Sequence, residues 1–277
     1  MVDKTFSDRT AAYAGCLGSA LCVLFEFMGR PSDLDLAIMA QHQAVQLTPD
    51  GHPDKPGHLN NLGNSFRCRF ERLGDIGDVD EAITTRQQAV QLTPGDHPDK
   101  PMYLNNLGNS FLRRFERLGD IGDVGEAITN QQQAVQLTPD GHPDKPMYLN
   151  NLGNSFLWQF KHLGNIGDVD EAITNQRQAV QLTPDGHPHM PGRLSNLGYS
   201  YLHRFEHLGN IGDVEEAIMN QQQAAQLTPD GHPAKPRCLN NLASSLRGRF
   251  ERLGDVANLD AAIAAEQHAT HLNDLMT

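Results

Sequence analysis

The sequence predicts an all-α solenoid of helical hairpins, and three observations carry that prediction. The string Leu-Asn-Asn-Leu-Gly-Asn-Ser-Phe starts at Leu59 and returns unchanged at Leu104 and Leu149, a step of 45 residues. Looser copies start at Leu194 (LSNLGYSY) and Leu239 (LNNLASSL), and AGCLGSAL at Ala14 keeps Leu17 and Gly18 in register. Within each copy the apolar residues recur at helical spacing, and no segment shows strand alternation. A fixed period of this length marks a stack of units, each burying its apolar face only against its neighbours. Six repeats are expected, at about 12–56, 57–101, 102–146, 147–191, 192–236 and 237–277, as one array over 1–277.

The copy from Gly57 to Pro101 shows what each unit encodes. Leu59, Leu62, Phe66, Phe70 and Leu73 form the stripe of a first amphipathic helix. Gly63 interrupts it and recurs at 108, 153 and 198. A mid-helix glycine costs ~1 kcal/mol against alanine, so its return points to another helix passing close by. Gly74-Asp75-Ile76-Gly77 reads as a turn. Asp78, three residues before Glu81, is expected to cap a second helix carrying Ala82, Ile83, Ala89 and Val90. Pro94, Pro98 and Pro101 then end it. Over the chain this predicts first helices near 12–28, 57–73, 102–118, 147–163, 192–208 and 237–253. Their partners fall near 33–47, 78–92, 123–137, 168–182, 213–227 and 258–272.

Composition narrows the function. Only 38% of the 277 residues are hydrophobic, which suits the thin core of a solenoid. The net charge of −12 argues against a nucleic-acid backbone as partner. Cys16, Cys22, Cys68 and Cys238 share no repeat position and form no CxxC pair, which favours a reducing compartment. The apolar stretch Tyr13 to Met28 is interrupted by Glu26 and lies in register with the other first helices. It is therefore expected to be neither a signal nor a membrane segment, and the location expected is cytoplasmic.

Leu62-Gly63, Phe66, Ala82, Ala89 and Pro94 together resemble the tetratricopeptide repeat (TPR). The phrases LNNLGNS, RFERLGD, DEAI and QAVQLTPDGHPDKP look like the arrays of fungal multidomain proteins, where an NTPase or caspase-like domain is often attached. HPD followed by LNNL is similar to the cargo-binding repeats of kinesin light chains. The resemblance covers residues 12 to 274 and implies a right-handed solenoid that binds protein partners. Against the 34-residue unit of that family, this one carries about seven extra residues between its helices and four in the proline loop. Arg86, Gln131, Gln176 and Gln221 also stand where the family often has an aromatic residue.

Asn60 and Asn64, Asn105 and Asn109, then Asn150 and Asn154 make a ladder on the first helices. An amide offers both donor and acceptor to an extended main chain, and the resemblance places these positions in a concave peptide groove. The alternative is that they solvate the helix or bond neighbouring repeats. Arg113, Trp158 and His203 occupy one variable position and would select side chains, with Tyr199 beside them in the fifth copy. Clustered arginines (67, 69, 72, 113, 114, 117, 204, 247, 249, 252) suggest an acidic peptide, the alternative being cations favoured at helix C-termini by the dipole.

His52, His97, His142, His187 and His232 recur too far apart to share a metal ion, so a loop-ordering hydrogen bond is expected instead. No calcium, other metal or cofactor site is expected, and no catalytic motif appears. The expectation is thus a non-catalytic scaffold binding a protein or peptide, with self-association through the C-terminal end. An enzyme with a pocket inside the superhelix, and a sensor or oligomerisation arm of a larger signalling protein, are the alternatives.

Overall fold

The structure, a computed structural model, describes residues 4–276, and among them it holds twelve α-helices and no strand. The chain falls into two compact units, Met1–Thr138 and Pro139–Thr277. The first contains α1 (Lys4–Met28), α2 (Pro31–Leu47), α3 (Lys55–Leu73), α4 (Ile76–Leu92), α5 (Lys100–Leu118) and α6 (Ile121–Leu137). The second contains α7 (Lys145–Leu163), α8 (Ile166–Gln181), α9 (Met190–Leu208), α10 (Ile211–Leu227), α11 (Lys235–Leu253) and α12 (Val256–Met276). In each unit consecutive helices pair as three hairpins. All twelve expected helices are present; α1 begins eight residues before the expected start, and each second helix begins two residues before its own.

That earlier start corrects the assignment of the cap. Gly74 adopts φ 73° and its N–H bonds Phe70 O at 2.7 Å, which closes α3. Asp75 is then the cap of α4, its Oδ1 accepting from Gly77 N at 3.0 Å. Asn165 and Asn210 do the same for α8 and α10, because a neutral amide oxygen accepts the bond as well as a carboxylate does. Asp78 lies inside the first turn and is buried. The link between the helices is therefore two residues long. The residues beyond the family's usual length extend the helices, to 19 and 17 residues in the second hairpin, rather than widening a turn.

The proline loops are ordered by local bonds. Nδ1 of each recurring histidine accepts from the backbone N–H two residues on, at 3.1–3.2 Å in all five copies, as expected. Thr48, Thr93 and Thr228 close the preceding helices by bonding the carbonyl four residues back. The Lys55 and Lys235 ammonium groups each reach two terminal carbonyls of the helix before them.

The hairpin core explains the glycines. Phe70, Val79, Ile83, Leu107, Phe111 and Ala127 pack together in the first unit. Where α5 crosses α6, a Cβ on Gly108 would sit 3.0 Å from Ala127 O and 2.8 Å from Gln131 Cγ. Gly153 meets Ala172 O and Gln176 in the same way, as Gly198 meets Ala217 O and Gln221. The expected close approach is thus real. The long polar residue lies flat on the glycine and fills the space that an aromatic would need.

α1 differs from the other first helices. Its segment Ser7–Met28 is long and apolar enough to cross a bilayer by length and composition. In the hairpin Ala11 and Ala14 are buried, whereas Tyr13, Leu17 and Phe27 are exposed.

Two glycines on neighbouring helices separate packing from propensity. Gly108→Ala is expected to lower stability by about 1–3 kcal/mol, since Ala127 O cannot yield without moving α6. Gly125→Ala, on α6 with open space around its Cβ, is expected to raise stability by about 0.5–1 kcal/mol. Denaturant midpoints check both, and a shift of the same sign in the two variants would contradict the packing account.

Candidate interaction surface

Within each unit the first helices of successive hairpins approach one another, α1–α3–α5 and α7–α9–α11, whereas the second helices do not. The first helices therefore present the asparagines side by side. Asn60 and Asn105 are buried and Asn150 is half-buried. Asn60 Oδ1 accepts from Asn106 Nδ2 at 3.1 Å, and Asn150 Oδ1 accepts from Asn196 Nδ2 at 3.0 Å. Asn241 makes the equivalent bond to Ser195. This row braces one hairpin against the next.

The second row faces a different partner. Gln131 and Gln176 are fully buried, and each donates Nε2 to an asparagine Oδ1, that of Asn109 or Asn154, at 3.0 Å. Ser200 donates to Gln176 Oε1 at 2.7 Å, which fixes the orientation of both amides. The Asn109 and Asn154 side chains are half-buried, and their Nδ2 groups make no hydrogen bond among the described residues. In the second hairpin Arg86 replaces the glutamine and donates to Asn64 Oδ1, Asn106 O and Ser110 Oγ. Burial, reinforced by the nearby Arg67 cation, pushes its guanidinium down to about 9.

The fifth repeat breaks this arrangement. Tyr199 stands where Asn154 does in the preceding copy, and Gln221, fully buried, has neither Nε2 nor Oε1 paired. The Tyr199 side chain turns instead to Lys161, whose Nζ lies 3.1 Å from its hydroxyl. Lys161 Nζ also sits 4.9 Å from the Trp158 ring centroid and 5.3 Å from that of Tyr199. The His203 ring meets Tyr199 edge-on at 4.3 Å, and its Nδ1 is 2.8 Å from Glu206 Oε2. Three predicted residues, Trp158, Tyr199 and His203, are thus brought together on α7 and α9, with Lys161 between them. Arg113 lies on α5 of the first unit, where it bonds Glu116 at 2.7 Å.

Three other arginines of the predicted cluster are tied to the chain itself. Arg69, Arg114 and Arg204 pair with Asp78, Asp123 and Asp213 nine residues on, with closest approaches of 2.6 Å. Each also reaches the aspartate of the preceding hairpin, Asp35, Asp80 or Asp170. Those guanidiniums are committed to structure, which sequence reading missed, although the nine-residue Arg/Asp spacing recurs visibly. In the fourth hairpin Gln159 replaces the arginine. Asp168 Oδ2 is then buried without a partner, and burial raises its carboxyl above the ordinary aspartate value.

Two cavities lie where the proline loops meet the first turns of the first helices: about 570 Å³ in the first unit and about 760 Å³ in the second, the latter lined in part by Asn150. Among the described residues no group of three or more His, Cys, Asp and Glu side chains is placed to hold a metal ion.

No family model matches the chain, and comparison with curated proteins finds no match either. Solved structures do match. A kinesin light chain-type protein from Podosopora anserina, built of nearly identical TPR-like repeats, is 19% identical and aligns over 79% of this chain and all of its own, with a TM-score of 0.58. BtubC from P. vanneervenii is 14% identical over 98% of this chain and 92% of its own, with a TM-score of 0.59. A thermophilic TPR protein of Thermus thermophilus gives 18% identity, 86% and 99% coverage, and a TM-score of 0.54. The chain has the TPR-like fold: an all-helical array of repeated hairpins.

Restoring the missing cation should stabilise the second unit. Gln159→Arg is expected to add about 1.5–3 kcal/mol at pH 7, the contribution of a charge-assisted bond to Asp168. The Asp168 carboxyl is raised now and would be lowered by the arginine. The gain should therefore be present above the carboxylate range and fade as pH falls through it. Thermal unfolding at pH 7 and pH 3 checks this, and an equal gain at both would rule out the pairing.

Proposed function

We propose that this chain is a non-catalytic protein-interaction scaffold whose second unit binds an extended partner segment across α7 and α9. Trp158, Tyr199 and His203 would take up its side chains. The observation that carries this reading is the orphaned Gln221. An unpaired buried amide costs about 1–3 kcal/mol, and the tyrosine of the aromatic cluster stands where an asparagine pairs the equivalent Nε2 in the third and fourth hairpins. Loss of stability where a sequence departs from its own rule is the expected mark of a functional site.

Beside the cluster, Asn154 supplies a donor already oriented by Gln176, suited to a main-chain carbonyl of the partner. Asn64 and Asn109 would offer the same group in the first unit. The similar structures support the reading through their shared fold, a platform used by kinesin light chain-type proteins among others. Self-association through the C-terminal end belongs to the same proposal, since α12 exposes Val256, Ile263 and Leu275.

A peptide selected on the full chain from a displayed library, then measured by calorimetry, provides the test. Trp158→Ala is expected to weaken it by about 2 kcal/mol or more, and Asn154→Ala by about 0.5–1.5 kcal/mol. Tyr199→Asn is the most informative variant: it should raise the melting temperature by giving Gln221 a partner, while weakening the peptide. Unchanged affinity in both Trp158→Ala and Tyr199→Asn would overturn the proposal.

A further inference from the structure

The cavities of the two units occupy one repeat position, displaced by three repeats. The residues Gly51, His52, Pro53, Pro94 and His97 of the first correspond to Gly186, His187, Pro188, Pro229 and His232 of the second. The framework is the same and the charge is not. Asp54, Lys55 and Asp99 line the first cavity. At those positions the second has His189, Met190 and Ala234, and no carboxylate lines it.

It gains two guanidiniums instead. Arg193 stands where the first cavity has His58, and where the third and fourth hairpins carry Tyr103 and Tyr148. Arg237 stands where they carry Met102 and Met147. In a chain of net charge −12, the exchange of two aspartates for none, together with the gain of two arginines, is concentrated at one cavity.

Arg193 is only 7% exposed, and its one bonded partner is the Thr183 hydroxyl. Neither Arg193 nor Arg237 has an ion pair among the described residues. A buried guanidinium without an anion is unfavourable, and an acid group entering the cavity would relieve it. The Lys100 and Lys235 ammonium groups elsewhere reach across this edge to the preceding helix end. Met190 removes that strut, and α8 ends one residue earlier than its counterparts, at Gln181. Met147, Met190 and Leu227 add an apolar wall. A volume of about 760 Å³ falls within the range of small-molecule sites.

We infer that this cavity of the second unit binds a small organic anion, its acid group paired by Arg193 and Arg237 and its apolar body against Met147, Met190 and Leu227. The recognised chemistry is a carboxylate or phosphate carried on an apolar body, since a guanidinium fork matches either acid. This site is separate from the aromatic cluster on α7 and α9, and the two stand or fall independently.

The full chain is titrated by calorimetry and ligand-observed NMR with phenyl phosphate, phenylacetate, inorganic phosphate and neutral benzyl alcohol. One site is expected for at least one aromatic anion, bound at least tenfold more tightly than benzyl alcohol or inorganic phosphate. Which aromatic anion binds better identifies the acid group. Arg237→Met and Arg193→Tyr introduce residues that sibling repeats already carry, so each should fold, as circular dichroism will verify. Each should weaken binding at least tenfold. Conversely, His58→Arg, Asp99→Ala and Met102→Arg together should create a second site in the first unit, taking the stoichiometry from one to two. Absence of binding by both aromatic anions, equal binding of benzyl alcohol, or unchanged affinity in folded Arg237→Met would overturn the inference.

Discussion

Five of the six hairpins depend on one contact, in which a long polar side chain of the second helix lies on a glycine of the first; the sixth has Ala243 there. The glycine lets the backbones approach until Ala127 O is within 3.0 Å of where a Cβ would stand. The glutamine seals the crossing but brings an amide into a dry place, where it must be bonded. Gln131 and Gln176 meet that demand through Asn109 and Asn154. The first helix is thereby required to carry an asparagine with one end fixed inward and the other available outward. A packing constraint thus produces a row of oriented donors, and the surface chemistry of the array follows from its core.

Because the repeats are nearly identical, their departures act as internal substitutions. Gln159 leaves Asp168 without its cation, Tyr199 leaves Gln221 without its asparagine, and Arg193 is buried with only a hydroxyl. Each is unfavourable relative to the sibling repeats, and all three lie on α7 and α9. They lie beside the aromatic cluster and the cationic cavity to which the proposed binding roles are assigned.

Much of the fold was legible in the sequence because the period is strict and local signals repeat with it. The glycine at 63, 108, 153 and 198 announced the close crossing, and the prolines and histidines announced the loops. The cap was misplaced because Asp75 and Asp78 both look like caps, and only the left-handed Gly74 shows that the chain turns in two residues. The pairing of Arg69, Arg114 and Arg204 was missed because their partners lie nine residues ahead and in the preceding hairpin, beyond one helix turn. The asparagines divided into two rows with different duties. That depends on which neighbour each meets across helices, and spacing within one helix cannot tell them apart. The aromatic cluster needed α7 and α9 side by side before Lys161, absent from the sequence-based site, could be seen between two rings.

The central claim is that the partner meets amides pre-oriented by the buried glutamines, beside Trp158. Side-chain amide and indole N–H resonances of the ¹⁵N-labelled full chain, followed during titration with the selected peptide, test it most directly. The account predicts that the Asn154 Nδ2 protons and the Trp158 indole proton shift together and saturate with the calorimetric affinity, while the Asn150 amide, held by Asn196, stays in place. Saturation of binding with Asn154 and Trp158 unmoved, and shifts confined to the proline loops, would contradict it.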